Sequence, residues 1–151
     1  MTETPTSGRL SGLEHFYPIR VYYADTDAGG VVYHATYLSF AERARTEMTR
    51  LFGLDQVKLR DEEDLLFAVR SAEIDYLRPA RLDDLLEVRS KLIHLGGASL
   101  HVAQSIRRGD EELVTMVMRL VCMTSQAKAS RIPNALRDRL QDYLTLTQKM
   151  D

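Results

Sequence analysis

One stretch of this chain carries its apolar residues at helical spacing for several turns, and most of the chain beyond it alternates like strands. Tyr37, Phe40, Ala41, Ala44, Met48, Leu51 and Phe52 recur at steps of three and four, which places them on one stripe of a helix. Glu42, Arg43, Arg45, Glu47 and Arg50 take much of the remaining surface. Gly53 follows the last apolar pair, where a C-terminal cap belongs. The spacing predicts a long helix that starts between Tyr33 and Thr36. A helix with one apolar stripe must lay that stripe on another layer, and the rest of the chain offers strands for it.

His15 to Tyr23 is β-rich, with Ile19, Val21 and Tyr23 on one face and Arg20 and Tyr22 on the other. Leu66 to Tyr76 reads as a second strand and breaks at Leu77-Arg78-Pro79-Ala80. In Leu85 to Leu95, the apolar Leu86, Val88 and Leu92 oppose Glu87, Arg89 and Lys91. Gly96-Gly97 is a hairpin signal, and Ser99 to Arg107 then puts Leu100, Val102 and Ile106 on one face. After a turn at Gly109-Asp110, Leu113 to Thr124 is apolar on both faces, which predicts a central strand or one covered by a partner subunit. Asp55 to Asp64 is a charged connection with room for a helical turn. Pro133 to Leu146 predicts a short closing helix whose Leu136, Leu140, Tyr143 and Leu144 face its own sheet. The expected fold is α+β: one strand, the long helix, four strands in a meander, and a small helix, with an antiparallel sheet wrapped around the long helix. Residues 1–12 are expected to be a disordered tail and 13–151 a single domain.

The bulk numbers remove several function classes. A formal net charge of −2 gives no surface for a nucleic-acid partner. Cys122 is the single cysteine, so no disulfide forms within the chain, and its apolar neighbours make it a buried, inert thiol. No apolar run reaches the ~20 residues that an integral membrane helix needs. The first residues lack the basic start and apolar segment of a secretory signal, so the expected location is cytoplasmic.

Chemistry concentrates at Asp25-Thr26-Asp27-Ala28-Gly29-Gly30, between the first strand and the long helix. By residue type alone, two aspartates in a turn read first as turn devices, because their side chains bond nearby backbone N–H groups. Their surroundings add a second reading. Gly29 and Gly30 let a ligand approach the backbone, and the helix start after them offers unpaired N–H groups and a partial positive charge. One short segment thus supplies a carboxylate and an oxyanion site, which acyl transfer requires. The segment is neither a calcium loop, since Thr36 stands where a glutamate is needed, nor a phosphate loop, since no Gly-Lys-Ser/Thr follows. His15, His34, His94 and His101 have no metal-motif spacing, so neither metal nor cofactor is expected. No Gly-x-Ser-x-Gly element is present. His34 stands at the helix entrance, and Glu42 is a second candidate acid two turns further on. Arg78, Arg81, Arg107, Arg108 and Arg131 lie near turns, where guanidinium groups can hold phosphates.

The run from Tyr22 to Tyr37, YYADTDAGGVVYHATY, resembles the active-site segment of the hotdog-fold acyl-CoA thioesterases, in particular the YbgC-type branch of the 4-hydroxybenzoyl-CoA thioesterase family. The likeness continues through Glu42 to Glu47, and Ile74 to Asp84 resembles the family's strand-turn-strand element. The resemblance implies hydrolysis of an acyl-CoA, or an acyl-carrier-protein thioester, by homodimers or homotetramers without a cofactor. It makes Asp27 the catalytic carboxylate, Asp25 a structural neighbour, and the His34 backbone N–H the oxyanion donor. Gly29, Gly30, Val31 and Tyr33 are possible substrate-binding positions, and the residues that grip CoA are not carried over from the family. The rivals are a hotdog hydratase or dehydratase, and a non-catalytic acyl-thioester-binding or scaffold protein of the same fold.

Overall fold

The computed structural model describes residues 6–12 and 14–150. Strand β1 (Arg9–Ser11) pairs antiparallel with β2 (Glu14–Arg20). Helix α1 (Thr36–Leu51) and the short α2 (Gln56–Glu63) follow. Strands β3 (Leu66–Tyr76), β4 (Leu85–Leu95), β5 (Ser99–Arg108) and β6 (Glu111–Met123) come next, and α3 (Asn134–Met150) closes the chain. All strands join one antiparallel sheet in the order β1-β2-β4-β5-β6-β3. Its concave face wraps α1, the arrangement of the hotdog fold.

Four expectations change. Arg9–Ser11, expected in a disordered tail, form a strand against Phe16, His15 and Glu14, and the Arg9 guanidinium lies 4.2 Å from the Phe16 ring centre. Residues 1–5 of that tail lie outside the described residues. The four later strands are not a simple meander. Only β4, β5 and β6 run as successive neighbours, whereas β3 pairs with β6 at the far edge. The connection 77–84 recrosses the sheet and delivers β4 beside β2. Tyr23, expected on a strand face with Ile19 and Val21, is exposed and off the strand, because β2 ends at Arg20 and Tyr23–Asp25 turn as a 3-10 helix. The closing helix also runs longer than expected, from Asn134 to Met150.

Alternation decides which side chains are inside. Leu86, Val88 and Leu92 of β4, Leu100, Val102 and Ile106 of β5, and Met116, Met118 and Leu120 of β6 are buried. They meet Tyr37, Phe40, Ala41, Ala44 and Met48 of α1. Strand β6 is buried on this face alone. Its outer residues Thr115, Val117, Arg119 and Val121 are half-buried, so the expected cover on both faces is not present within one chain. Helix α3 lays Leu136, Leu140, Tyr143 and Leu144 into the core and closes its open end. The Tyr143 ring sits 5.1 Å from that of Phe52, and the Arg139 Nη1 donates to the Phe52 carbonyl at 2.9 Å.

The core has two apolar halves, and a polar layer separates them. Arg45, expected on the solvent side of α1, is only 8% exposed. Its Nη1 donates to Gln104 Oε1 at 2.9 Å. Gln104 Nε2 donates in turn to the Ala41 carbonyl at 3.0 Å and to Ser90 Oγ at 2.9 Å. His15 pairs with Ser90 across β2 and β4 and is fully buried, with Nε2 2.7 Å from the Ser7 carbonyl. Burial pushes its pKa down, which keeps the ring neutral. Val88 and Ile106 belong to the half on one side of this layer, Leu92 and Val102 to the other.

Candidate active site

The end of β2 and the connection 77–84 hold each other. The Val21 N–H donates to the Asp84 carbonyl at 2.9 Å, and the Asp83 N–H to the Val21 carbonyl at 3.0 Å. The chain then turns, and the two aspartates part in role. Asp25 Oδ2 accepts the Tyr22 N–H at 2.8 Å, which closes the 3-10 turn. The Asp27 carboxylate lies at the tip of the next, tighter hairpin. There the Asp27 N–H donates to the Val31 carbonyl at 2.9 Å, and the Gly30 N–H donates to the Asp27 carbonyl at 3.0 Å. The Asp27 side chain is exposed, and among the described residues its one donor is the Gly29 N–H, 2.8 Å from Oδ1.

The two glycines act differently here. Gly30 has φ +78°, a left-handed conformation that side chains disfavour. A Cβ on Gly29 would stand 3.2 Å from Asp27 Oδ1 and crowd the carboxylate. Val31 bridges to Arg81 and Thr26 to Val32, while the Val32 N–H donates to the Ala80 carbonyl at 2.9 Å. The Ile74-to-Asp84 segment is therefore the frame on which the acidic hairpin rests.

The hairpin leads into α1 through Tyr33, His34 and Ala35. The Tyr33 N–H donates to the Asp25 carbonyl at 3.0 Å, and the Thr36 N–H to the Tyr33 carbonyl at 2.8 Å. Between them, the His34 N–H has no acceptor among the described residues. The peptide is fixed by its other end, since Tyr76 Oη donates to the His34 carbonyl at 2.9 Å. The His34 ring stacks on Tyr33 at 4.4 Å between centroids. Beneath it, Tyr37 Oη accepts the Ala80 N–H at 2.9 Å. Burial raises the Tyr37 pKa, partly offset by that N–H. A hollow of about 280 Å³ opens beside His34, lined by Val32, Tyr37, Tyr76, Leu77 and Pro79.

The structure thus gathers Asp27, Gly29, Gly30, Val31, Tyr33 and His34 on one hairpin and its exit. It does not bring Glu42 there. Glu42 lines a separate cavity with Arg45, Thr46, Phe67 and Val69. Sequence reasoning passed over Tyr76 and Tyr37, whose hydroxyls fix the helix entrance. Strand periodicity marks Tyr76 only as the end of β3, and nothing local ties it to His34. Among the described residues, no group of three or more metal-ligating side chains is present. No helix of the described residues is long and apolar enough to cross a membrane.

Comparison with known proteins agrees with this geometry. The family model of the thioesterase-like superfamily matches residues 21–140. The acyl-CoA thioesterase YbgC of Haemophilus influenzae is 45% identical over 107 residues, which cover 71% of this chain and 79% of that protein. The acyl-CoA thioester hydrolase YbgC of Escherichia coli is 44% identical over 120 residues, covering 80% of this chain and 87% of that one. A probable thioesterase from Bartonella henselae superposes with a TM-score of 0.77 at 39% identity, covering 80% of this chain and 99% of that chain. An acidic hairpin feeding the central helix, set in a sheet of this topology and matched along most of the chain, makes this protein a member of the thioesterase-like superfamily.

Proposed function

We propose that this protein is an acyl-CoA thioesterase in which Asp27 is the catalytic carboxylate and the His34 N–H receives the thioester oxygen. The observation that carries the reading is the division of labour in the hairpin. Each carboxylate accepts one backbone N–H of its own turn, but Asp25 is half-buried whereas Asp27 is exposed at the tip of the hairpin that leads to a helix entrance with an unpaired N–H. A thioester needs little more, since its leaving group is good. The donor polarises the carbonyl, and the positive end of α1 favours the charge that develops on its oxygen. Asp27 either attacks the carbonyl carbon, giving a mixed anhydride that water opens, or takes a proton from an attacking water. On either route the C–S bond breaks, the acid keeps the new oxygen, and the CoA thiolate leaves and is protonated. Single-turnover hydrolysis in heavy-oxygen water, with mass spectrometry of the protein afterwards, tells the routes apart.

The reading extends to assembly and place. β3 is an open edge of eleven residues, with Val69 and Tyr76 about half exposed. Such an edge is a template for another strand. A two-fold pairing of β3 with a second copy gives a homodimer with one continuous sheet. The half-buried outer residues of β5 and β6, Ala103, Val117 and Val121, offer a second contact by which dimers form a tetramer. The lone buried thiol of Cys122, raised in pKa by burial, suits the reducing cytoplasm. Acyl-carrier-protein thioesters are the alternative substrate.

The test is thiol release from a panel of acyl-CoA substrates by wild type and Asp27→Asn. The variant is expected to lose roughly 10²–10⁴ in kcat while keeping the wild-type circular dichroism. Hydrolysis by Asp27→Asn close to the wild-type rate refutes the assignment. Saturable binding by the wild type without thiol release instead supports the non-catalytic reading.

A further inference from the structure

Desolvating a charge is costly unless it is paired, so a largely buried guanidinium keeps its spare donors on water or on a ligand. Arg45 is such a group: it is 8% exposed, and none of its nitrogens is among the buried atoms that lack a partner. Its single hydrogen bond among the described residues runs from Nη1 to Gln104, a neutral partner, and it makes no ion pair there. Burial lowers its pKa, with the exposed Glu42 raising it from a distance. Arg45 lines a cavity of about 270 Å³ whose walls include Thr46, Thr49, Phe67, Val69 and Leu120. That cavity is apolar on the sheet side and polar on the α1 side.

The cavity is separate from the hollow beside His34, but both border β3, at Phe67 and Val69 and at Tyr76. His34, Leu38, Glu42, Arg45 and Thr49 succeed one another at steps of three and four, so they share one side of the helix entrance and α1. That side faces β3. At one end Tyr76 reaches the His34 carbonyl, and at the other Val69 and Phe67 wall the cavity. Between Thr36 and Arg45 the helix rises about 14 Å at ~1.5 Å per residue, a span that an extended acyl chain of roughly twelve carbons covers.

We propose that the groove between α1 and β3 carries the acyl chain, and that Arg45 selects acyl groups whose far end bears a carboxylate. The inference rests on the thioesterase reading above and adds a substrate class to it. A thioester carbonyl at the His34 N–H sends its tail along Leu38 and Glu42 into the cavity. There the free donors of Arg45, fixed in direction by Gln104, meet the terminal carboxylate. Thr46 and Thr49 on the same wall add hydroxyl donors. Glu42 is the one carboxylate lining the groove. It is exposed to water at the rim, so its repulsion is screened more than the attraction of the buried Arg45.

The test compares kcat/KM for dodecanoyl-CoA, its ω-hydroxy analogue, and the mono-CoA thioester of dodecanedioic acid. Wild type is expected to favour the ω-carboxy substrate over dodecanoyl-CoA by about tenfold or more, since a site built to pair a group discriminates against the analogue that lacks it. In Arg45→Met that ratio is expected to fall to about one, and Arg45→Lys to keep part of it. Thr46→Leu, which narrows the cavity and leaves Arg45 in place, is expected to lower the ratio as well, and it serves if Arg45→Met does not fold. A wild-type ratio of one or less, an equal gain with the ω-hydroxy substrate, or an unchanged ratio in Arg45→Met overturns the inference and leaves the thioesterase reading standing. Failure of the wild type to cleave any of the three, while it cleaves other acyl-CoA substrates of the panel, overturns the inference alone, and failure on the whole panel overturns both.

Discussion

Replacing Gln104 with leucine removes three hydrogen bonds from the interior while keeping nearly the same volume. The Gln104 amide holds the Ala41 carbonyl at 3.0 Å, Ser90 Oγ at 2.9 Å and Arg45 Nη1 at 2.9 Å. The two neutral bonds contribute about 1 kcal/mol each, and the one to a charged group roughly 1.5–3 kcal/mol. Leucine returns about 1–2 kcal/mol through its apolar surface. Those bond terms already include leaving the guanidinium and the Ala41 carbonyl without their buried partner. The expected net loss is about 3 kcal/mol. For a chain of this size, at ~2–4 °C per kcal/mol, that lowers Tm by roughly 6–12 °C. Calorimetry and urea titration at one fixed protein concentration measure it, because an oligomer's apparent stability depends on concentration. The double variant Arg45→Met, Gln104→Leu removes the charge together with its partner and is expected to recover at least ~1 kcal/mol relative to additivity. A Gln104→Leu loss below ~1 kcal/mol, or strict additivity in the double variant, refutes the account of a polar layer whose members depend on one another.

Tyr76→Phe loses the donor to the His34 carbonyl and is expected to lower kcat/KM about fivefold, equivalent to ~1 kcal/mol, with little change in Tm. Thiol-release kinetics and a melting curve check both halves. Gly29→Ala places a Cβ 3.2 Å from Asp27 Oδ1 and is expected to reduce kcat about tenfold, roughly 1.4 kcal/mol of barrier, while folding normally. An unchanged kcat would mean that the carboxylate moves freely. Burial alone would raise the pKa of Asp84, but the Arg81 N–H at 2.8 Å and the Arg108 guanidinium at 2.7 Å outweigh it, so the carboxyl titrates below its ordinary value. Its stabilising contribution is therefore complete above the ordinary carboxylate range and is lost as pH falls through the lowered value. Urea titrations of wild type and Asp84→Asn are expected to differ at neutral pH and to converge in acid, and a gap that persists in acid contradicts the assignment.

Periodicity placed nearly every element. The alternation in Leu86, Val88 and Leu92 fixed the inner face of β4, and the same parity continues through Ser90, a polar residue on a buried register. Leu100, Val102 and Ile106 include Gln104 in the same way, and the stripe Ala41, Ala44 and Met48 passes through Arg45. Each of these polar residues was thus legible as inward-facing from position alone. Residue type argued the other way for Arg45, since an isolated arginine on a helix is normally solvated. Only the meeting of three elements supplies the partner that lets it stay inside. The Asp-x-Asp run marked a candidate site, but not how its two carboxylates differ. That difference is one of exposure, and turn geometry sets it.

What the sequence determined by itself is the set of local preferences: a helix with one apolar stripe, strands of period two, glycines where the hairpin must bend, and an acid before a helix start. These depend on neighbours within a few residues, so pattern reading reaches them. The tertiary structure decided the rest. It moved β3 to the edge beside β6, set Tyr76 against the His34 carbonyl, and laid the 77–84 connection under the hairpin. Those contacts join residues far apart in the sequence, and such long-range pairing is chosen by how the whole core closes, not by any one segment. The acidic stretch becomes a candidate site only once that closure brings its support to it.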